Sequence, residues 1–174
     1  IYSNVKKLEP GQVIEYDINQ NELNYSSKYF LDKKKLFETI SNDSVFSEYQ
    51  LKSVLRKSID NISKDYEKKI GVFLSSGIDS CLIFTEIAKK NDNINSYTIG
   101  FEGEESEIDS AISLSKKFNV KNVNKVLKED DVIENLKIIN NIYNEPLCDP
   151  SCIPMISLCK MASKDVIKIF FIMY

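Results

Sequence analysis

The chain has 174 residues, 43% hydrophobic and 28% charged, with a formal net charge of −3, a balance typical of a globular domain large enough to bury a core. That charge argues against a basic nucleic-acid surface or a polybasic membrane patch, and no apolar run reaches the ~20 residues a spanning helix needs. With no signal-peptide pattern at the start, the expectation is a cytoplasmic protein with no nucleic-acid and no membrane partner.

Gln12-Val13-Ile14-Glu15-Tyr16-Asp17-Ile18 alternates as a strand does, and Asn19 to Glu22 supply turn residues before a second strand over Leu23–Phe30. Just upstream, Glu9-Pro10-Gly11-Gln12 suits a type II turn, with proline presetting one φ and glycine accepting the positive one. Residues 1–31 therefore read as one β-unit, and the lysine-rich stretch 32–43 as a linker. From Ser44 the rhythm changes. Val45, Tyr49, Leu51, Val54, Leu55, Ile59 and Ile62 recur at helical spacing towards Lys68. There follow a strand over Ile70–Leu74, a helix over Ser80–Lys90 and a strand over Ile94–Phe101. The remaining elements are a helix over Glu105–Phe118, a strand over Val120–Val126, helices over Asp130–Tyr143 and Ser151–Ser163, and a strand over Val166–Ile172. Alternating strands and helices predict an α/β fold over 44–174, a mostly parallel sheet with helices on both faces. A ligand crevice is then expected beyond the carboxyl ends of the strands.

One stretch at such an end carries chemistry: Leu74-Ser75-Ser76-Gly77-Ile78-Asp79-Ser80. Glycine permits close backbone approach, successive N–H groups and a following helix N-terminus attract an anion, and three hydroxyls add donors. Asp79 disfavours a bare phosphate and makes sense beside a divalent cation, which describes a magnesium pyrophosphate site without a Walker lysine. The plainer alternative is a strand-to-helix turn, with glycine at positive φ and Asp or Ser as N-cap. The chain has no histidine, which excludes Cys-His zinc sites and imidazole general bases. Cys81, Cys148, Cys152 and Cys159 lack a framework spacing and read as free buried thiols rather than a Cys148–Cys152 pair.

The loop resembles the Ser-Gly-Gly-x-Asp-Ser pyrophosphate loop of the N-type ATP pyrophosphatases, with Ser76 standing where that pattern has its first glycine. Its neighbours resemble the glutamine-hydrolysing asparagine synthetase family. Leu8-Glu9-Pro10-Gly11, running through Val13–Asp17 to Lys28-Tyr29-Phe30, is similar to the last hairpin of the glutaminase domain. Ser96-Tyr97-Thr98-Ile99-Gly100-Phe101 is similar to the second synthetase strand, whose end lies against the adenine. Asn144-Glu145-Pro146-Leu147-Cys148-Asp149-Pro150-Ser151 is similar to the loop before the helix flanking the acceptor pocket.

The resemblance implies an ATP-dependent, amide-forming ligase. It would use ATP and Mg2+, join ammonia from a glutaminase domain to a carboxylate such as aspartate, and pass through an acyl-adenylate. It implies nucleotide contacts at Leu74, Ser75, Ser76, Gly77, Ile78, Asp79, Ser80 and Ile99, with Asp79 towards the metal. No residue present is carried over as catalytic. The family's Ser-Gly-Glu-Gly strand end is replaced after Ile169 by Phe170-Phe171-Ile172-Met173-Tyr174, and Ile1 is not a start methionine. The chain therefore reads as a piece of a longer protein, unable to complete the reaction alone. Its last apolar strand is expected to want neighbours and to invite aggregation, so deleting 170–174 should raise soluble yield. Alternatives are another ligase of the same loop class, such as NAD or GMP synthetase-like enzymes, and a non-catalytic nucleotide-binding remnant.

Overall fold

The computed structural model describes residues 3–29, 47–63, 70–103, 106–143, 149–165 and 169–171. The chain divides into two compact units, Ile1–Glu48 and Tyr49–Tyr174.

In the first unit, β1 (Gln12–Asp17) and β2 (Glu22–Tyr29) pair antiparallel, with an irregularity between Val13 and Glu15. The turn before β1 has the expected geometry: Gly11 sits at φ 77° and the Gln12 N–H donates to the Glu9 carbonyl at 2.9 Å. At the hairpin tip the Asp17 carboxylate accepts from the N–H groups of Asn19 and Gln20, and Asn21 turns the chain at φ 52°.

The second unit is a four-stranded parallel sheet in the order β5-β4-β3-β6. Its strands are β3 (Ile70–Phe73), β4 (Ile94–Phe101), β5 (Lys121–Leu127) and β6 (Ile169–Phe171). The helices are α1 (Glu48–Ser63), α2 (Ile78–Ala88), α3 (Ser106–Lys117), α4 (Glu129–Ile142) and α5 (Cys152–Ser163). Every residue of β3 and all of β4 but Phe101 are buried, as expected of strands covered on both faces. Alternation along β3 divides the core. Ile70, Val72 and Leu74 pack with Ile59 of α1, Phe84 and Ile87 of α2 and Ala111 of α3. Phe73 points the other way, with Tyr97, towards Ala162, Met155, Leu158 and Met161 of α5. Phe84 meets Phe118 edge-on, ring centroids 5.7 Å apart.

Local chemistry sets the helix limits. The acidic residues Glu107 and Asp109 open α3 and Lys116 and Lys117 close it, matching its dipole. Asn119, at φ 54°, ends the turn, and the Val120 N–H reaches back to the Ser115 carbonyl at 3.0 Å. The first helix is described over Glu48–Ser63; residues 44–46 and 64–68 of the expected stretch lie outside the described residues. So does the 32–43 linker. The terminal strand is corrected in one respect: it is not left without a neighbour, since Ile169, Phe170 and Phe171 pair with Ile70, Gly71 and Val72 of β3. Of the thiols, Cys152 is buried, Cys81 half-buried and Cys159 exposed, against the expectation that all are buried; Cys148 lies outside the described residues.

Candidate nucleotide site

Strands run outward from β3 in both directions: β4 and β5 extend one side and β6 joins the other. The order therefore reverses at β3, and its carboxyl end is where an open α/β sheet leaves a crevice. The loop that leaves this end is Leu74–Gly77, leading into α2.

Hydroxyl groups hold the loop in shape. The buried Ser80 Oγ accepts from the Ser75 N–H at 3.2 Å and lies 2.8 Å from the Ser75 Oγ. It is also within donating distance of the Gly77 carbonyl, 3.1 Å, and the Ser75 carbonyl, 3.3 Å. Ser75 Oγ accepts from the Gly77 N–H at 3.2 Å. Beneath the loop, the half-buried Cys81 thiol lies 3.5 Å from the Ser75 carbonyl.

Gly77 occupies the N-cap position of α2 with φ −68° and ψ 145°, and no side chain caps the helix. This corrects the simple turn reading on both counts: the glycine is not at positive φ, and neither Asp79 nor a serine is the cap. A Cβ at Gly77 would lie 3.2 Å from the Ser75 Oγ, so the glycine makes room for the serine bracket. The first helical bond runs from the Cys81 N–H to the Gly77 carbonyl, 3.1 Å. The N–H groups of Ile78, Asp79 and Ser80 thus precede the helical ladder, at the positive end of the helix dipole.

A cavity of about 340 Å³ opens beside this loop. Leu74, Ser75, Ser80 and Ile99 all line it, joined by Phe73, Phe101, Glu107, Ser151, Pro154, Met155 and Leu158. Ser76, Gly77, Ile78 and Asp79 are exposed and stand outside its wall. Ile78 is 78% exposed, so its side chain plays no part in packing. The α5 contribution comes from residues 154, 155 and 158, one helical face. Of the loop preceding α5, residues 144–148 lie outside the described residues. Its end is held by Asp149, whose carboxylate accepts from the Ser151 N–H at 2.9 Å.

Sequence reasoning missed Glu107. It placed Glu107 only as part of the helix expected over Glu105–Phe118, yet Glu107, in the first turn of α3, lines the cavity and accepts from the Ser76 Oγ at 3.2 Å. No local signal marks it, because its partner is 31 residues away. Among the described residues no group of three or more His, Cys, Asp or Glu side chains could hold a metal ion by itself, and no helix is long and apolar enough to cross a membrane.

Residues 50–171 match the family described as asparagine synthase. The chain belongs to that family. It is 27% identical over 165 residues to asparagine synthetase [glutamine-hydrolyzing] 1 of Bacillus subtilis, an alignment covering 94% of this chain and 25% of that protein. It is 31% identical over 129 residues to a putative asparagine synthetase [glutamine-hydrolyzing] of Mycobacterium bovis, covering 73% of this chain and 20% of that one. This member of the asparagine synthase family thus spans about a quarter or less of the length of these curated relatives. Its fold is shared with NMN synthetase from Francisella tularensis (TM-score 0.51, 15% identity, 71% of this chain and 53% of that one). It is shared equally with a glutamine-dependent NAD+ synthetase from Acinetobacter baumannii solved with adenosine diphosphate (TM-score 0.51, 11% identity, 90% of this chain and 29% of that one). These likenesses concern the fold alone, a parallel sheet covered by helices.

Proposed function

We propose that this chain is the ATP-binding part of an amide-forming ligase of the asparagine synthetase type, and that Leu74–Ser80 is its pyrophosphate loop. The observation that carries the reading is the uncapped N-terminus of α2, set at the switch point of the sheet and bracketed by Ser75 and Ser80. An anion there meets three N–H groups outside the helical ladder without reorganising the loop backbone. The adjoining cavity, mostly apolar and including Ile99, suits the base of the same nucleotide.

Asp79 is exposed in the first turn of α2 and is the residue we assign to Mg2+. One carboxylate, with no further acidic cluster among the described residues, fits a cation that draws its remaining ligands from phosphates and water. When bound, the cation would neutralise the pyrophosphate that departs. The chain's own residues fix the β- and γ-phosphates and so aim the α-phosphorus at an acceptor carboxylate such as aspartate, giving an acyl-adenylate for ammonia to attack. In this reading residues 1–31 are the end of a glutaminase domain that supplies the ammonia, 32–43 a linker, and 44–174 the synthetase portion.

The test is calorimetric titration of ATP with and without Mg2+. Binding by the wild type should require the cation, and Asp79→Ala should remove that dependence. Equal affinity of the wild type with and without Mg2+ would refute the assignment.

A further inference from the structure

The loop has to be attached to the sheet at a fixed height, and its anchor lies on the neighbouring strand. β3 ends at Phe73, so Leu74 is the first residue beyond the ladder. Its N–H still donates to the Tyr97 carbonyl at 2.9 Å. Its carbonyl instead accepts from a side chain, the Oγ1 of Thr98, at 2.8 Å. Thr98 is only 1% exposed, so water does not stand in for this bond.

A hydroxyl has one proton, and what determines its direction is the group that donates to its oxygen. Here that donor is Asn122 of β5, whose Nδ2 lies 3.0 Å from the Thr98 Oγ1. The same Nδ2 lies 2.9 Å from the Ser96 Oγ, which shares a 2.8 Å bond with Ser115 of α3. With the Asn122 amide donating to it, the Thr98 hydroxyl has its proton committed to Leu74. A row of polar side chains thus crosses from β5 through β4 to the base of the loop, on the face otherwise filled by apolar residues. A strand that only needed to fill this space could use valine at 98, which has nearly the same shape and no unmet polar group.

We propose that Thr98, oriented by Asn122, is a positioning residue for the phosphate loop: it sets where Ser75–Ser80 leave the sheet and hence the affinity for the nucleotide's phosphates, without touching them. The inference rests on the nucleotide reading of the loop and deepens it. Carbonyl 74 and the serine bracket that begins at residue 75 are adjacent, so a displacement at one is passed directly to the other. The side chains of Ile99 and of Pro154, Met155 and Leu158 that line the cavity take no part in this bond.

The experiment compares Thr98→Val and Thr98→Ser with the wild type in calorimetric titrations with MgATP and with adenosine, alongside amide hydrogen exchange over residues 74–80. Loss of one buried hydrogen bond predicts about a ten-fold weaker MgATP Kd for Thr98→Val. Adenosine binding should be unchanged and exchange of the loop amides faster, and Thr98→Ser, which also controls for folding, should restore both the MgATP affinity and the exchange. Unchanged MgATP affinity in Thr98→Val, or equal weakening of MgATP and adenosine, overturns the proposal. If the wild type binds no MgATP, the nucleotide reading falls. The exchange data then still decide on the anchor: faster loop exchange in Thr98→Val supports it and unchanged exchange overturns it.

Discussion

Replacing Glu86 by glutamine tests how the helix that follows the loop is held in place. Glu86 lies on α2 and is 8% exposed. One carboxylate oxygen accepts from the Nε of Arg56 on α1 at 2.7 Å and the other from Lys89 Nζ at 2.9 Å. Arg56 is the only arginine in the chain, and its Nε sits in the plane of a guanidinium suited to a carboxylate. The Arg56 bond, then the Lys89 bond, hold the carboxyl at about 2 instead of 4.5, against the opposing effect of burial. At ~1.4 kcal/mol per pH unit that displacement is worth ~3 kcal/mol. The Arg56 and Lys89 side chains are half exposed, 50% and 51%, and solvent screening reduces the net contribution to ~1–2 kcal/mol.

The sign follows from the direction. A carboxyl whose folded value is depressed contributes its full stability above 4.5 and loses it as pH falls through about 2. Urea unfolding of the wild type and Glu86→Gln should therefore differ by ~1–2 kcal/mol at neutral pH. The gap should narrow below pH 4.5 and close near pH 2. Taking the difference between the two proteins removes the titration of every other group they share. A gap that is absent at neutral pH, or that persists unchanged down to pH 2, would refute the ion-pair account.

Ser80→Ala removes the hydroxyl that brackets the loop and leaves the Ser75 N–H without its acceptor, which should cost ~1–3 kcal/mol in urea unfolding and weaken MgATP binding in the same preparation. Gly77→Ala separates fold from site. With φ at −68° the backbone accepts alanine, so the melting temperature should change little. The new Cβ crowds the Ser75 Oγ at 3.2 Å, so calorimetry should nevertheless show weaker MgATP. Ending the chain after Lys168 removes β6, the parallel partner of Ile70–Val72; soluble yield and cooperativity of unfolding should fall, and a gain in yield would show that the strand contributes nothing.

Much of the architecture is legible without coordinates, because it follows from short-range physics. The stretch Ile94–Phe101, rich in β-formers and bounded by polar residues, marks β4 with the limits the structure has, and Pro10-Gly11 dictates its turn because only glycine takes φ 77° readily. Alternation of strand and helix is enough to require a parallel sheet, and the change from apolar strand to Ser-Ser-Gly-x-Asp-Ser marks the loop we propose for pyrophosphate. Tertiary structure alone decided the rest. Strand order put β6 beside β3 and so placed the switch point at residue 74. It brought Glu107 to Ser76, Thr98 to the Leu74 carbonyl and Arg56 to Glu86, contacts spanning 24 to 31 residues that no periodicity of two or 3.6 encodes. It also gave Gly77 a role that its residue type misrepresents: the serine bracket leaves little room for a Cβ at an ordinary backbone conformation. Periodicity reports which face of an element is buried, whereas the partner across that face is set by how the sheet is ordered and how closely its loops pack.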